Sequence, residues 1–334
     1  MDFIMRILVT GAAGMIGRKL CARLSVDGAI GGRPIETAHL VDVVAPAPPA
    51  DARFAAHCEA LDVVAPSAAA KAIAARPDVV FHLAAVVSGE AESDFDKGYA
   101  VNLDATRALF EAIRGERERS GGAYRPRLIY ASSIAVFGAP YPETIDDDFL
   151  VAPLTSYGAQ KAMVELLIAN YSRRDIFDGV ALRLPTVVVR PGPANRAASG
   201  FFSSIIREPL SGREAILPAS EATRLWCASP RAAVGFFVHA AALDLNRLGP
   251  RRSLTMPGFS TTVEEQIEAL RRVGGDAAVR RILRQSDESI ARIVSGWPGR
   301  FDARRALALG FAAESSFDEI VRVYLEDDHV PAVA

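Results

Sequence analysis

Short apolar runs alternate with longer amphipathic segments along the first half of the chain. The apolar runs occupy 4–10, 38–44, 79–84, 128–132 and 180–184. Segments with helical spacing lie between them, at 18–24, 65–76, 102–114 and 157–173. Because strands that alternate with helices build parallel sheets covered on both faces, this order predicts an α/β fold with a Rossmann-type, doubly wound parallel sheet.

The pattern changes after Arg183. Proline and glycine interrupt any long helix or central strand there: Pro185, Pro191, Gly192, Pro193 and Gly200. Residues up to about 232 are therefore expected to be irregular. A helical stretch at 232–243, a strand at 253–256 and a capping-box pattern from Thr261 to Glu264 follow. We predict a Rossmann domain of 1–185 plus about 226–250, and a smaller C-terminal lobe of 186–225 plus 251–330.

The composition is that of a globular protein with small-molecule partners. Apolar residues make up 50% of the 334 residues, and 38 basic against 40 acidic side chains leave a net charge of −2. A disordered chain would have low hydrophobicity and a large net charge. Nucleic acids and anionic membranes require a basic surface excess, so we expect neither as a partner.

Cysteine and histidine spacing predicts a reduced compartment and no metal. Cys21, Cys58 and Cys227 are odd in number and far apart, which excludes a disulfide framework and favours the cytoplasm. The first residues enter a glycine loop directly and predict neither a signal peptide nor a membrane span. The histidines show no pair at metal-ligand spacing along the chain: His39, His57, His82, His239 and His329.

A glycine loop and a strand-end acid are the first signs of a nucleotide. Gly11, Gly14 and Gly17 lie where the first strand turns into a helix, so backbone N–H groups and the helix dipole can hold a pyrophosphate. Asp42 ends the second apolar run, where a carboxylate binds ribose hydroxyls and repels a 2′-phosphate. The pair predicts NAD rather than NADP. A plain glycine turn and an exposed acid are the alternatives.

Tyr157 and Lys161 are one helical turn apart and share one face. A tyrosine, whose ordinary pKa is about 10, acts as a base near neutrality only if the phenolate is stabilised, and a lysine supplies part of that. Ser132 and Ser133 end an apolar run, at the sheet edge where α/β proteins bind ligands. We predict that Ser133 positions a substrate hydroxyl, Tyr157 removes its proton, and hydride passes to a nicotinamide. A surface helix pair and strand-ending serines are the alternatives.

Taken in order, the motifs resemble those of the extended short-chain dehydrogenase/reductase superfamily of NAD-dependent epimerases, dehydratases and sugar dehydrogenases. They are Gly11-x-x-Gly14-x-x-Gly17, Asp42, Asp62-Val63, His82-Leu-Ala-Ala85, Val101-Asn-Leu-Asp104, Ala131 to Gly138, Tyr157-x-x-x-Lys161 and Arg183-Leu-Pro185. The resemblance implies cofactor contacts from Gly11, Gly14, Met15, Ile16, Gly17, Asp42, Asp62, Val63, Leu83, Ala84, Ala85, Asn102, Tyr157, Lys161, Pro185 and Val187. For Asn102 a structural role is the alternative. It also implies a homodimer through the helices that follow Asn102 and bear Tyr157.

The substrate is expected to be small. Nucleotide-sugar enzymes of this superfamily usually carry Asn at the position of Thr186. The segments 200–210, 223–235 and 254–258 resemble dehydrogenases that oxidise the C2 hydroxyl of a four-carbon sugar acid to the 2-keto acid. A carboxylate favours guanidinium donors. The predicted substrate contacts are Ser88, Ser133, Tyr157, Thr186, Arg196, Phe201 and Arg224. An epimerase or dehydratase that retains its NAD, and a non-catalytic NAD-binding protein, are the alternative functions.

Overall fold

The computed structural model describes residues 5–192 and 199–329. Its contacts divide the chain into two compact units. The first contains the described parts of Met1–Val136, Thr155–Arg183 and Val234–Thr255. The second contains the described parts of Phe137–Leu154, Leu184–Ala233 and Met256–Ala334. The expected roles of the two parts, cofactor binding and substrate binding, stay predictions.

Strands alternate with helices through most of the first unit, as the sequence pattern predicts. The strands are β1 (Met5–Thr10), β2 (Ala29–Ile30), β3 (Arg33–Asp42), β4 (Ala55–Ala60), β5 (Val79–His82), β6 (Arg127–Ser133), β7 (Asp178–Leu184), β8 (Thr186–Val187), β9 (Ala215–Leu217), β10 (Arg224–Ala228), β11 (Ser253–Thr255), β12 (Phe259–Thr262) and β13 (Ile282–Arg284). The helices are α1 (Met15–Asp27), α2 (Ala68–Ile73), α3 (Ser88–Ser93), α4 (Phe95–Tyr99), α5 (Ala105–Arg119), α6 (Ser156–Arg173), α7 (Gly200–Leu210), α8 (Pro230–Ala242), α9 (Val263–Val279), α10 (Glu288–Ser295), α11 (Arg304–Ala308) and α12 (Phe317–Asp327). Within the described ranges, no helix combines the length and the apolar character needed to cross a membrane.

The first unit is built on one large sheet with the order β11-β7-β6-β5-β1-β3-β2, and β4 pairs with β3. The pairs of β1 with β3 and β5, of β3 with β4, and of β5 with β6 are parallel. Only the short β2 runs antiparallel to its neighbour among the pairs recorded for this sheet. The predicted α/β fold with a mostly parallel sheet is confirmed. The carboxyl ends of β1, β3, β4, β5 and β6 therefore share one edge.

The core of the first unit explains why its strands are apolar runs rather than alternating patterns. Leu8, Val80 and Leu128 lie in central strands and are fully buried. They belong to one apolar cluster with Phe110 of α5 and Val164 of α6. A parallel strand covered by helices on both faces has no solvent side, so polar residues are not needed at alternate positions.

The second unit corrects two sequence-based expectations. Residues 200–210 were expected to be irregular, but they form α7, whose apolar side chains enter the core of this unit. Pro209 is the last residue but one of α7, so the helix ends directly after it instead of continuing past it. The capping box of α9 uses Thr262 and Glu265, one residue later than predicted. Thr261 is fully buried inside β12, whereas the less buried Thr262 ends that strand and is free to cap the helix.

Candidate active site

The glycine turn between β1 and α1 leaves room that side chains would fill. Gly11 has a positive φ of 76°, and a Cβ there would lie 2.7 Å from the backbone nitrogen of Ala84. A Cβ on Gly17 would overlap the carbonyl oxygen of Gly11. Among the described residues, no side chain caps the N-terminus of α1. A backbone cradle at an uncapped helix N-terminus fits the pyrophosphate of NAD.

Asp42 is held against this turn. Its carboxylate accepts hydrogen bonds from the backbone N–H groups of Ala13, at 2.9 Å, and Val43, at 2.7 Å. The two bonds use different oxygens, so each oxygen retains a lone pair for a further donor. This arrangement fits two ribose hydroxyls, and ribose binding by Asp42 stays a prediction.

Asp42→Asn tests that prediction. We expect the affinity for NAD to fall about 10- to 100-fold, because hydrogen bonds to a charged acceptor are worth about 1.5–3 kcal/mol. The affinity for NADP should rise, since the 2′-phosphate no longer meets a carboxylate. Isothermal titration calorimetry with both nucleotides measures the ratio of the NAD affinity to the NADP affinity. Asp27→Asn, which removes an acid that pairs with Arg23 at the end of the same α1, is the control. An unchanged NAD-to-NADP ratio in Asp42→Asn would contradict the assignment.

Two further segments of predicted cofactor residues follow the carboxyl ends of strands in the first unit. Asp62 and Val63 come after β4, and Leu83–Ala85 comes after β5. The approach of Gly11 to the Ala84 backbone brings the glycine turn against the second of these segments. Pro185 and Val187 belong to the second unit. Contact of these residues with NAD stays a prediction.

Tyr157 and Lys161 occupy one face of α6, as their spacing predicts. The Nζ atom of Lys161 lies 5.4 Å from the centre of the Tyr157 ring and 4.6 Å from that of Tyr130. It also donates a hydrogen bond of 2.8 Å to the carbonyl oxygen of Ala131. Ser133 ends the same strand two residues later, and its Oγ accepts the N–H of Ala135. The lysine therefore connects the tyrosine to the strand that carries the serine.

Lys161 is only 1% exposed. Burial lowers the pKa of its ammonium group from 10.5 to about 7, and the nearby Glu165 carboxylate acts in the opposite direction. A group that titrates near neutrality beside a phenol can exchange its charge state in the working pH range. The catalytic roles of Ser133, Tyr157 and Lys161 stay predictions.

Glu165 is a residue of this region that sequence reasoning missed. Its carboxylate accepts a hydrogen bond of 2.6 Å from the Ser132 hydroxyl and a two-point contact from the Arg183 guanidinium, with Nη2 at 2.7 Å. All three side chains are buried. The available signal was its position one turn after Lys161 and two turns after Tyr157, which places it on the same helical face. A buried carboxylate is retained only when it is paired in this way.

His82 is buried and links neighbouring backbone segments through hydrogen bonds rather than acting as a base. Burial lowers its pKa to about 3, so the ring is neutral. Thr106 donates its proton to the Asn102 carbonyl oxygen, so its hydroxyl oxygen accepts from Nε2 of His82 at 2.8 Å. Nδ1 then accepts from Thr10 at 2.7 Å, whose oxygen accepts the N–H of Ala84 at 3.4 Å. This chain of hydrogen bonds ties β1, β5 and α5 together beside the glycine turn.

Asn102 lies in a short π-helical turn, Ala100–Asp104, immediately before α5. Its side chain accepts the N–H of Val86 at 2.9 Å and donates to the carbonyl oxygen of the same residue at 3.2 Å. The second amide hydrogen goes to Gln160 at 2.7 Å. Both amide donors are therefore used within the protein, which supports the structural alternative. Its contact with cofactor stays a prediction.

The predicted substrate residues divide between the two units. Ser88 begins α3 in the first unit. Thr186 pairs with Cys227 in the second unit, where Phe201 is buried with its ring centre 4.0 Å from that of Phe202. Arg224 donates to the Ser260 hydroxyl at 3.3 Å. Arg196 lies outside the described residues.

Comparison with known proteins places the chain in a family. The model of the NAD dependent epimerase/dehydratase family matches residues 7–240. A D-erythronate dehydrogenase of Cupriavidus necator is 47% identical over 327 residues, which cover 97% of this chain and 98% of that protein. A D-erythronate dehydrogenase of Haemophilus influenzae is 41% identical over 325 residues, covering 97% and 100%.

A solved structure agrees in fold along nearly the whole chain. The crystal structure described as a nucleoside-diphosphate-sugar epimerase from Agrobacterium tumefaciens has a TM-score of 0.94 and 57% identity. The match covers 97% of this chain and 94% of that one. Together the comparisons confirm the predictions that NAD is the cofactor and that the protein is an NAD-dependent dehydrogenase. With the glycine turn and the predicted order of motifs, they establish that the chain belongs to the NAD dependent epimerase/dehydratase family.

Proposed function

We propose that this protein oxidises the C2 hydroxyl of a small sugar acid, D-erythronate or a close analogue, to the 2-keto acid with NAD. The observation that carries the proposal is the similarity along the full chain to two proteins that are both named D-erythronate dehydrogenase. The arrangement of Tyr157, Lys161 and Ser133 at one sheet edge supports the chemistry.

Three side chains of the first unit have separate roles at the reacting hydroxyl. Ser133 holds the substrate oxygen through a hydrogen bond. The phenolate of Tyr157 accepts the hydroxyl proton while the carbon–hydrogen bond breaks and the C=O bond forms. Lys161 stabilises the phenolate, because its ammonium lies 5.4 Å from the ring centre in a site where water screens it little. NAD, when bound, supplies the acceptor for the hydride.

The carboxylate of the acid needs a separate set of donors. Arg196 and Arg224 are the proposed guanidinium groups, with Ser88 and Thr186 as neutral donors and Phe201 as an apolar wall. The hydrogen bond of Arg224 to Ser260 is long, at 3.3 Å, so an anionic ligand can compete for that donor. We assign the NAD contacts, apart from those of Pro185 and Val187, to the first unit, and this substrate set, apart from Ser88, to the second.

An epimerase that retains its NAD is the second candidate. It is favoured by the description of the Agrobacterium tumefaciens structure as a nucleoside-diphosphate-sugar epimerase. Thr186 opposes it, because nucleotide-sugar enzymes usually carry Asn there.

Production of NADH distinguishes the candidates. Purified protein is incubated with NAD and, separately, with D-erythronate, other aldonates, uronates and UDP-sugars, and the absorbance of NADH is followed. We expect stoichiometric NADH from D-erythronate. Tyr157→Phe should lower the rate by about 100- to 10,000-fold, the range for loss of a general base.

Tyr171→Phe is the matched control, because Tyr171 is also on α6 and hydrogen-bonds the carboxylate of Glu111 instead. Its rate should stay close to that of the parent protein. A change in the configuration of a UDP-sugar without accumulation of NADH would establish the epimerase. Binding of NAD without turnover of any compound would contradict the proposed oxidation.

We further propose a cytoplasmic homodimer that assembles through α5 and α6. Leu166 on α6 supports it, because its side chain is 72% exposed and burial of such an apolar residue favours association. The cysteines of the described ranges are free, as expected in a reducing compartment: Cys21, Cys58 and Cys227.

A further inference from the structure

Two histidines and a glutamate meet on the outer strands of the large sheet. His39 is on β3, and His57 and Glu59 are on β4. The parallel pairing places His39 directly beside His57, with ring centres 5.1 Å apart. Because alternate residues of a strand share a face, Glu59 is on the same side of the sheet as His57. The three side chains therefore converge although they come from two strands.

Their donor atoms have the separations of metal ligands. The distance from Glu59 Oε2 is 3.0 Å to His39 Nε2 and 3.8 Å to His57 Nε2. All three ligand atoms lie within 4.8 Å of one another. Ligands at 2.0–2.1 Å from a tetrahedral Zn²⁺ are about 3.3 Å apart. Small side-chain rotations are enough to bring the three atoms onto one ion.

The surroundings leave one carboxylate oxygen and an entry path for the ion. Lys71 of α2 pairs with Oε1 of Glu59, while both imidazoles face Oε2. The side chains of Glu59 and His39 are 17% and 16% exposed, whereas that of His57 is 72% exposed. An ion can therefore reach the site from solvent and keep a water molecule.

We propose that His39, His57 and Glu59 bind one Zn²⁺ ion, with water completing its coordination. Two imidazoles and one carboxylate are a common ligand set for zinc. The ion links β4, which carries His57 and Glu59, to its neighbour β3, which carries His39. His39 lies three residues before Asp42. The ion thereby closes the 43–54 loop that connects the two strands. This site lies outside the residues of the proposed oxidation and does not depend on that function.

The test is zinc binding by the full-length protein without a histidine tag. Competition with a chromophoric chelator should give one Zn²⁺ per chain. His57→Ala and Glu59→Gln should each weaken binding at least tenfold, since loss even of a residue that only supports a ligand costs 10- to 100-fold. His239→Ala is the matched control, because it removes an imidazole of the same unit from α8 and should leave binding unchanged. Zinc should also raise the melting temperature of the parent protein, since a ligand that binds only the folded state stabilises it.

Cys58 is the competing ligand, because it lies between His57 and Glu59 in sequence. Its side chain is on the opposite face of β4, because successive residues of a strand point to opposite sides of the sheet. Cys58→Ser should therefore leave zinc binding unchanged. The Co²⁺-loaded protein should show no thiolate-to-metal charge-transfer absorption. The proposal would be overturned if the parent protein bound zinc without saturation, or if His57→Ala bound zinc as tightly as the parent protein. Loss of zinc binding in Cys58→Ser would also overturn it.

Discussion

Gly17→Ala should lower NAD affinity by more than tenfold and reduce the free energy of unfolding by about 1–3 kcal/mol, the usual cost of overpacking. The added Cβ would overlap the carbonyl oxygen of Gly11 and lie 2.7 Å from the Cα atom of Ala12. Both atoms belong to backbone, so a side-chain rotation cannot relieve the contact. The turn cannot move away easily, because Ala12 donates its N–H to the Val41 carbonyl oxygen at 3.1 Å.

Gly115→Ala is the matched control for this prediction. Gly115 is also inside a helix, α5, and a Cβ there would meet only the side chain of Arg119, at 3.5 Å. This variant should be about 0.5–1 kcal/mol more stable than the parent protein, since glycine is entropically unfavourable in a helix. Denaturant unfolding and NAD titration of both variants measure the two effects. Equal NAD affinity in Gly17→Ala and Gly115→Ala would contradict a phosphate cradle at the glycine turn.

Lys161→Met should produce an enzyme that is stable but nearly inactive. We expect turnover to fall at least 100-fold, because the phenolate of Tyr157 loses the ammonium beside it. The cofactor-free variant should be more stable near neutral pH, by on the order of 2–4 kcal/mol. The gain arises because a buried ammonium is removed, and the hydrogen bond to the Ala131 carbonyl oxygen that is lost at the same time offsets part of it.

The pH dependence of stability identifies the cause. Burial lowers the pKa of Lys161 to about 7 in the folded state, against 10.5 for an exposed lysine. Between these values the unfolded chain binds a proton that the folded chain does not, so the parent protein gains stability as pH rises through this window. Below about pH 7 both states are protonated and the penalty is complete. The free energy of unfolding of Lys161→Met should not rise with pH in this way. Its extra stability over the parent protein should therefore shrink from pH 7 toward pH 10.

Denaturant unfolding at several pH values measures this difference. Lys97→Met is the control, because the side chain of Lys97 is 51% exposed and pairs with Glu90. Its removal should neither change the slope nor lower turnover by a similar factor. A parallel loss of stability and turnover in Lys161→Met would show that the lysine supports the fold rather than the reaction.

Properties that depend on near neighbours in the chain were predictable from the sequence. The apolar runs predicted the parallel sheet, because strands covered on both faces contain few polar residues. The Gly11 and Gly17 spacing predicted the turn, and the four-residue interval predicted that Tyr157 and Lys161 share a helical face. The irregular region predicted from Pro185, Pro191 and Pro193 was extended too far, since all three precede α7 in the chain and interrupt nothing within it.

Only the tertiary structure decided which distant residues meet. Glu165 contacts Arg183 because α6 packs on the sheet beside the end of β7, and His39 faces His57 because β4 pairs in parallel with β3. The short, half-exposed β4 carries little periodic signal, so the sequence predicted neither the strand nor the histidine pair. Local spacing determines secondary structure, whereas strand order and register depend on burial summed over the whole unit. These contacts therefore required the folded chain.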